Sequence, residues 1–330
     1  MDQGLRCMSR FERQIALPEI GRDGQERLAA AHVLVVGAGG LGCPVLQYLA
    51  GAGIGEITVM DGDSVEATNL PRQPLYTVAD IGRYKVEAAR ARLSAMAPEL
   101  RLHPHARDLT PDNAHAAIRP ADVVIDAADS YAVSYTLSDH CLQTGTPLIS
   151  ASALAQGGYV GGFCGGAPSL RAVFPDPPDS AATCASSGIM GPVVGMIGAL
   201  QAQLALKVIL NHSPSPLGRL FSVNLAGLQM GGFDFSGAAE PEQIVPFIGA
   251  AALRDGDHVI DLRSTAEAPR PATPNALRIP PQNLQRDLLP PGSGRVVLAC
   301  RTGLRAWRAA AALGDDLAPR LALLALGGPR

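Results

Sequence analysis

The apolar run at 33–36 breaks into a glycine turn, GAGGLG (37–42), and an apolar helical pattern then carries on to Ala52. Run, turn and helical stripe predict strand, turn and helix. A second strand at 57–60 ends in Asp61. The stretch 62–82 is polar and irregular, and a helical pattern at 83–97 follows it, with Val86 and Leu93 on its apolar side. Further strands are read at 100–105, at 121–126 (ADVVID) and at 147–153 (PLISASA), with a helix between the last two that runs to Thr144. Alternating strands and helices predict right-handed βαβ units and a mainly parallel, Rossmann-like sheet, whose ligand site lies at the carboxyl ends of its strands. Asp61 and Asp129 both fall at such ends.

Glycine-rich runs at 156–163 and 221–233 predict antiparallel strands that extend this sheet. Between them lie a proline-rich loop, the polar loop SAATCASSG with Cys184, and an apolar helix from 189 to 210. Its most apolar part, 189–200, is too short to span a bilayer and reads as a buried helix. The segment SGAAEPEQ (236–243) is small and polar and marks a linker. After it a second α/β alternation starts: VIDLR (259–263), ALRIP (276–280), VVLAC (296–300) and the helix at 304–313. The expected organisation is a unit at 1–235 with a polar N-terminal arm over 1–30, the linker 236–243, and a small α/β unit at 244–330.

Charge supports that division. Residues 244–330 carry 11 arginines against 7 acids, a net +4, so the remainder carries −7 of the total −3. Such a balance gives no reason to expect nucleic acid, and no signal peptide or membrane span is read. Six cysteines (7, 43, 141, 164, 184, 300) contain no CxxC pair, which predicts free thiols in a reducing cytoplasm. Lysine occurs only at 85 and 207, so an ammonium at 85 reads as a chemical choice against a background of arginine.

The glycines Gly37, Gly39, Gly40 and Gly42 allow backbone N–H groups to face a phosphate, and Asp61 stands where a ribose hydroxyl would meet it. On these alone the nucleotide stays open, and an NAD-dependent oxidoreductase is one reading. The motifs RFERQIALPEIG (10–21), VLVVGAGGLGCP (33–44), DGDSVEATNLPRQ (61–73), DIGRYK (80–85), DVVIDAADS (122–130) and CASSGIMGPVVGMIGALQA (184–202), taken in that order, resemble the MoeB/ThiF/HesA family. Members are similar to ubiquitin-activating enzymes. The resemblance implies a homodimer that uses ATP and Mg2+ to adenylate the C-terminal glycine of a ubiquitin-like sulfur-carrier protein ending in Gly-Gly. By the same resemblance Asp61 meets the ribose, with Asp63, Asn69, Arg72 and Gln73 near ribose and phosphates. Lys85 sits on the phosphates, Asp129 on Mg2+, and Arg13 reaches across the dimer into the partner's site. Cys184 matches a loop cysteine that is covalent in some relatives and dispensable in others.

VIDLRSTAE (259–267) and the loop Cys300-Arg301-Thr302-Gly303-Leu304-Arg305 resemble a rhodanese domain, which carries sulfur as a cysteine persulfide. The resemblance implies an upstream sulfur donor such as a cysteine desulfurase. Independently of it, Cys300 ends a strand and opens a loop into a helix, with Arg301 and Arg305 alongside, and loop N–H groups, helix dipole and guanidinium charge favour a sulfur anion. Two departures matter. The zinc cysteines of many relatives are replaced by Ser169 and Ala172, so no structural zinc is expected and Cys164 reads as a core thiol. Around Asp129 the family's T-D-N is Ala128-Asp129-Ser130, and a nearby arginine is Ser134. The resulting expectation is adenylation followed by sulfur transfer from Cys300 to give a thiocarboxylate. A non-catalytic carrier-binding scaffold stands beside the oxidoreductase as an alternative.

Overall fold

The computed structural model describes residues 10–178 and 188–327. Two helices, α1 (Glu12–Ile15) and α2 (Gly21–Ala30), lead into β1 (His32–Val36), α3 (Gly42–Ala52) and β2 (Glu56–Met60). Next come α4 (Lys85–Met96), β3 (Arg101–His105), α5 (Pro111–Ile118), β4 (Val123–Asp126), α6 (Tyr131–Thr144) and β5 (Leu148–Leu154). The hairpin partner β6 (Gly157–Phe163), then α7 (Leu170–Val173), α8 (Gly191–Ile209), β7 (Arg219–Asn224) and β8 (Gln229–Asp234) complete this part. The remainder holds β9 (Phe247–Ile248), β10 (His258–Asp261), β11 (Leu277–Arg278), β12 (Val296–Cys300), α9 (Leu304–Leu313) and β13 (Leu321–Ala325).

Eight strands form one sheet in the order β3-β2-β1-β4-β5-β6-β7-β8. The pairings from β3 to β5 are parallel and those from β5 to β8 antiparallel. The parallel part has the 3-2-1-4-5 order of a doubly wound nucleotide-binding sheet. Its inner strands β2, β1 and β4 are apolar on both faces, as they must be under helices on either side, while the edge strand β3 is polar and unburied. Val33, Val35, Ile57, Val59, Val123 and Ile125 bury into one core, while Leu34, Val36, Met60 and Val124 bury into the other.

The second core does not stop at the first sheet. It continues through α5 and α6 into Ile260 and Leu298 of a second, five-stranded parallel sheet ordered β11-β10-β12-β13-β9, and into Leu304 and Trp307 of α9. Tyr135 of α6 meets Trp307 of α9 edge to face, with ring centroids 4.5 Å apart, and Phe247 lies 6.4 Å from the same indole. Arg308 on α9 donates to the Pro178 carbonyl oxygen through Nε at 2.9 Å and Nη2 at 2.5 Å.

Four elements differ from the reading of the sequence. The N-terminal segment is helical and packed: α2 buries Gly24, Gln25 and Leu28, and Gln14 and Gln25 both donate to the Ala52 carbonyl oxygen at 3.0 Å. Helix α5 lies in a stretch left without an element, although Thr110 and Asn113 form a capping box around Pro111. The short strands β9 and β13 pair with each other and close one side of the second sheet. Helix α8 keeps the extent read for it at 189–210; over its whole length it is long and apolar enough to cross a membrane, and here Val193, Val194, Ile197, Gly198, Ala202, Leu204 and Ala205 are buried in the protein core.

Ser169, at one of the replaced cysteine positions, has a structural task. Its amide and its hydroxyl both donate at 2.6 Å to the carboxylate of Glu240 from the segment 236–243, and its hydroxyl in turn accepts from the Arg171 amide. Ser169 is buried. Glu240→Ala should therefore leave a buried N–H and O–H without partners and cost about 1–2 kcal/mol in a urea titration. A loss under about 0.3 kcal/mol would mean that water substitutes for the carboxylate.

Candidate functional site

Parallel register brings the first constellation together. Met60 pairs with Val36 and Val36 with Asp126, so β2, β1 and β4 end level. The residues that follow them, Asp61, Gly37 and Ala127, therefore stand side by side at strand spacing, about 4.8 Å apart. Gly37 has φ +98°, and a methyl group there would lie 2.4 Å from the Ala127 carbonyl oxygen; at Gly42 it would lie 2.0 Å from the Gly37 carbonyl oxygen. Only glycine lets the turn close this tightly onto β4.

Asp61 is held from two sides. One carboxylate oxygen accepts from the Ala38 amide inside the glycine turn and the other from the Asp63 amide, each at 2.8 Å. Each oxygen retains lone-pair capacity for a hydroxyl. Burial raises its pKa, opposed by the charge of Lys85. Lys85 opens α4 and is 6% exposed, its ammonium 2.9 Å from an Asp63 carboxylate oxygen. Lys85 is thus not a solvated surface lysine. A buried ammonium has three donors, and this pairing uses one of them.

The stretch 67–76 builds the floor. Asn69 is buried and accepts from the Glu66 amide, while Arg72 donates to the Thr68 carbonyl oxygen at 2.9 Å and sits half-buried at the rim. Gln73 is 3% exposed; its Nε2 lies 3.7 Å from the place a Gly39 side chain would occupy, and its Oε1 has no hydrogen-bond partner. A buried carboxamide with an unspent acceptor beside a glycine without side chain is a place prepared for a polar ligand. Tyr76 behind it donates to the Ala38 carbonyl oxygen at 2.7 Å and stiffens the turn. Cys43 packs under the same turn, its thiol pushed up to about 12 by burial, so it is a core group and no nucleophile. The amino end of α8 closes the far side, with Val194 3.2 Å from where a Gly40 side chain would begin.

Asp129 is exposed in the loop between β4 and α6. Behind it Asp126 is fully buried and accepts from the Ser150 hydroxyl at 2.7 Å and the Ala128 amide at 3.2 Å, with Ser134 as a further partner. Gln201, an amide inside the apolar α8, donates to the Asp126 main-chain carbonyl oxygen at 2.7 Å. Burial pushes the Asp126 carboxyl up to about 6. Its folded value lies above the ordinary unfolded one, so the protonated form favours the fold. That contribution is complete below about pH 4 and is lost as pH rises through 6. Asp126→Asn should therefore gain stability relative to wild type between pH 4.5 and 8, by about 2 kcal/mol. Urea titrations at the two pH values give that difference, and an equal one at both would show that Asp126 is ionised in both states.

The second constellation surrounds Cys300 at the end of β12. Cys300 is fully buried, and its Sγ accepts from the Gly303 amide at 3.2 Å and the Ala306 amide at 3.4 Å. Gly303, at φ +85°, lets the loop curl so that these amides converge on the sulfur. Arg301 and Thr302 are exposed. Arg305 makes a bidentate pair with Glu267, which holds that carboxylate below its usual range. Part of the positive charge expected around the sulfur is thus already neutralised. Arg263 likewise pairs with the buried Asp261 beside β12. Leu304 anchors the loop in the core.

Arg13 is not brought to the glycine turn. Its helix is tied through Gln14 to Ala52, at the opposite end of α3 from Gly42. Eleven helical residues place those ends about 16 Å apart. Cys184 lies outside the described residues. Sequence reasoning missed Asp126, Gln201, Tyr76 and Glu267; an acid at the end of an apolar strand and a glutamine within an apolar helix were the available signals for the first two.

The ThiF family model matches residues 11–243. The chain belongs to the ThiF family. The matched region of this ThiF-family chain covers both the glycine turn and Asp129. It is 46% identical over 217 residues to "Adenylyltransferase and sulfurtransferase MOCS3" of Anopheles gambiae, covering 64% of this chain and 49% of that protein. Bos taurus MOCS3, of the same description, is 47% identical over 214 residues, covering 64% and 47%. "Adenylyltransferase and sulfurtransferase uba4" of Aspergillus fumigatus is 44% identical over 219 residues, covering 63% and 44%. The chain thus spans about half the length of the curated relatives it matches. Among solved structures, E. coli MccB with MccA superposes with a TM-score of 0.61 at 24% identity, over 69% of this chain and 71% of that one. E. coli MccB with ATP gives 0.58 at 20% identity, over 72% and 80%. These likenesses establish the α/β fold of the ThiF-family part.

Proposed function

We propose that this chain adenylates the C-terminal glycine of a ubiquitin-like sulfur-carrier protein with ATP and then supplies sulfur from a Cys300 persulfide to give a thiocarboxylate. The observation that carries the reading is the buried Lys85 ammonium in the same cradle as Asp61, with the unspent Gln73 Oε1 beside them able to accept from a ribose hydroxyl. Asp61 alone would suit a dinucleotide. A buried cation poised next to it suits a triphosphate better. The names of the MOCS3 and uba4 relatives point the same way.

Adenylation asks little proton transfer of the protein, because the carrier's carboxylate is already a nucleophile. It forms a bond to the α-phosphorus, and the bond to the β-phosphate oxygen breaks to release pyrophosphate. The chain's part is positioning and charge. Asp61 and the Gln73 Oε1 accept from ribose hydroxyls, the glycine-turn amides flank the phosphates, and Lys85, exchanging its Asp63 contact for phosphate oxygens, neutralises developing charge. Arg72 guards the rim. Among the described residues no three His, Cys, Asp or Glu groups cluster as a metal site. Mg2+ takes one or two protein carboxylates and fills its shell with phosphate oxygens and water. Asp129, exposed at the strand end, is the residue that would hold it, and the ion would supply further charge neutralisation.

The proposal includes a homodimer, in which Arg13 serves the partner's site because α3 keeps it from its own. It includes the division into 1–235, a linker at 236–243 and a sulfur-transfer unit at 244–330, with a cysteine desulfurase as upstream donor. The described cysteines are free, in keeping with a reducing cytoplasm. ATP–pyrophosphate exchange that depends on a carrier ending in Gly-Gly tests the first half. Calorimetry with ATP and with NAD separates the oxidoreductase reading, and tight NAD binding without ATP binding would sink the proposal. Carrier binding without any exchange would point to the scaffold.

A further inference from the structure

Three consecutive peptide groups of the glycine turn are pinned, each by a different partner. The Ala38 amide donates to Asp61 at 2.8 Å, the Ala38 carbonyl oxygen accepts from the Tyr76 hydroxyl at 2.7 Å, and the Gly39 carbonyl oxygen accepts from the Cys43 amide at 2.9 Å. The first partner follows β2 and the third lies in α3, while the middle one is a phenol reaching in from the loop ahead of α4. The Cys43 thiol also points at the Ala38 carbonyl oxygen, but at 3.7 Å and as a weak donor. Tyr76 falls between the DGDSVEATNLPRQ and DIGRYK motifs and belongs to neither.

A trans peptide is planar, so its C=O and N–H point in opposite directions. With the Ala38 carbonyl turned onto Tyr76 in the core, the Gly39 N–H is turned the other way. Ala38 and Tyr76 are buried, whereas Gly39 and Gly40 are partly exposed, so the other way is outward. Among the described residues, the Gly39, Gly40 and Leu41 amides donate to no protein acceptor. Residue 39 offers little resistance of its own to a flip of the Ala38–Gly39 peptide, because a glycine takes either sign of φ. Once flipped, that peptide would turn a carbonyl oxygen outward in place of the N–H. Burial raises the Tyr76 phenol far above its ordinary value, so the hydroxyl keeps its proton and remains a donor.

We propose that Tyr76 is a positioning residue for phosphate binding: its hydroxyl holds the Ala38–Gly39 peptide in the orientation that presents the Gly39 N–H to the phosphates of the nucleotide. This rests on the proposed use of ATP. Tyr76 touches no substrate and acts through the main chain. Its effect is confined to the phosphates, because Asp61, which receives the ribose, is held by the Ala38 and Asp63 amides, and these belong to other peptide groups.

The test is calorimetry of the full-length chain with ATP and Mg2+ and, separately, with adenosine. Tyr76→Phe removes one oxygen and keeps the ring; Tyr76→Met removes the same hydroxyl with different packing, and thermal unfolding reports the fold of each. ATP affinity should fall about tenfold in both variants, the usual scale for a hydrogen bond to a charged group, while adenosine affinity stays within about twofold of wild type. An equal loss for both ligands would show a packing role and overturn the proposal, as would a loss in only one of two folded variants. ATP affinity within about twofold of wild type in folded Tyr76→Phe would overturn it too, while leaving the ATP site standing. A wild-type chain that binds no ATP would overturn the function on which it rests.

Discussion

Asp129→Ala is expected to lower carrier-dependent ATP–pyrophosphate exchange by about 10^2–10^3-fold, while thermal unfolding stays within a degree or two of wild type. Asp129 is exposed, and its loop is shaped by Asp126 and Gln201 behind it, so the fold does not depend on its carboxylate. The proposed activity does, because Asp129 is the carboxylate that would hold the ion, and removing a single preorganised charge-stabilising group commonly costs 10^2–10^3, roughly 3–4 kcal/mol of barrier. Asp129→Asn should fall nearly as far, since the amide keeps the size but not the charge. Exchange within tenfold of wild type in either variant would remove Asp129 from the site.

Cys300→Ala is expected to separate the two halves of the reaction: exchange within about twofold of wild type, thiocarboxylate at background. The sulfur lies under the Gly303 and Ala306 amides, and no residue of the glycine-turn cradle touches it, so its loss has no route to the nucleotide. Removing one buried sulfur should cost on the order of 1 kcal/mol, small enough to leave the chain folded at assay temperature. Serine at the same position keeps an acceptor for the two amides and should be folded yet equally silent in transfer. Loss of exchange in a folded Cys300→Ala protein would refute the division of labour.

How much of this could be read from the chain alone depended on whether a group's task was local. The glycine turn, Asp61 and the strand ending at Asp126 announce themselves because turn geometry and a two-faced apolar run leave a direct imprint on neighbouring residues. Lys85 was legible as an oddity among arginines, but its burial against Asp63 joins residues from two elements, and no short window contains both. Glu267 was invisible for the same reason: it neutralises Arg305 from a loop 38 residues earlier. Strands β9 and β13 escaped because a two-residue strand has no period, and LALLA can be helix or strand until a neighbour decides. Helix α5 was missed for a different reason, since its Thr110-Pro111 start was in plain view.

The Tyr135–Trp307 seat has a consequence for modular reuse. A sulfur-transfer cassette cut at residue 244 and fused to a foreign adenylating unit would carry Trp307 and Phe247 outward as an oily, unmatched surface. It would find no small residue like Ala132 to receive Gly303. The portable unit in protein engineering is therefore not 244–330 but that segment together with the α6 face it rests on.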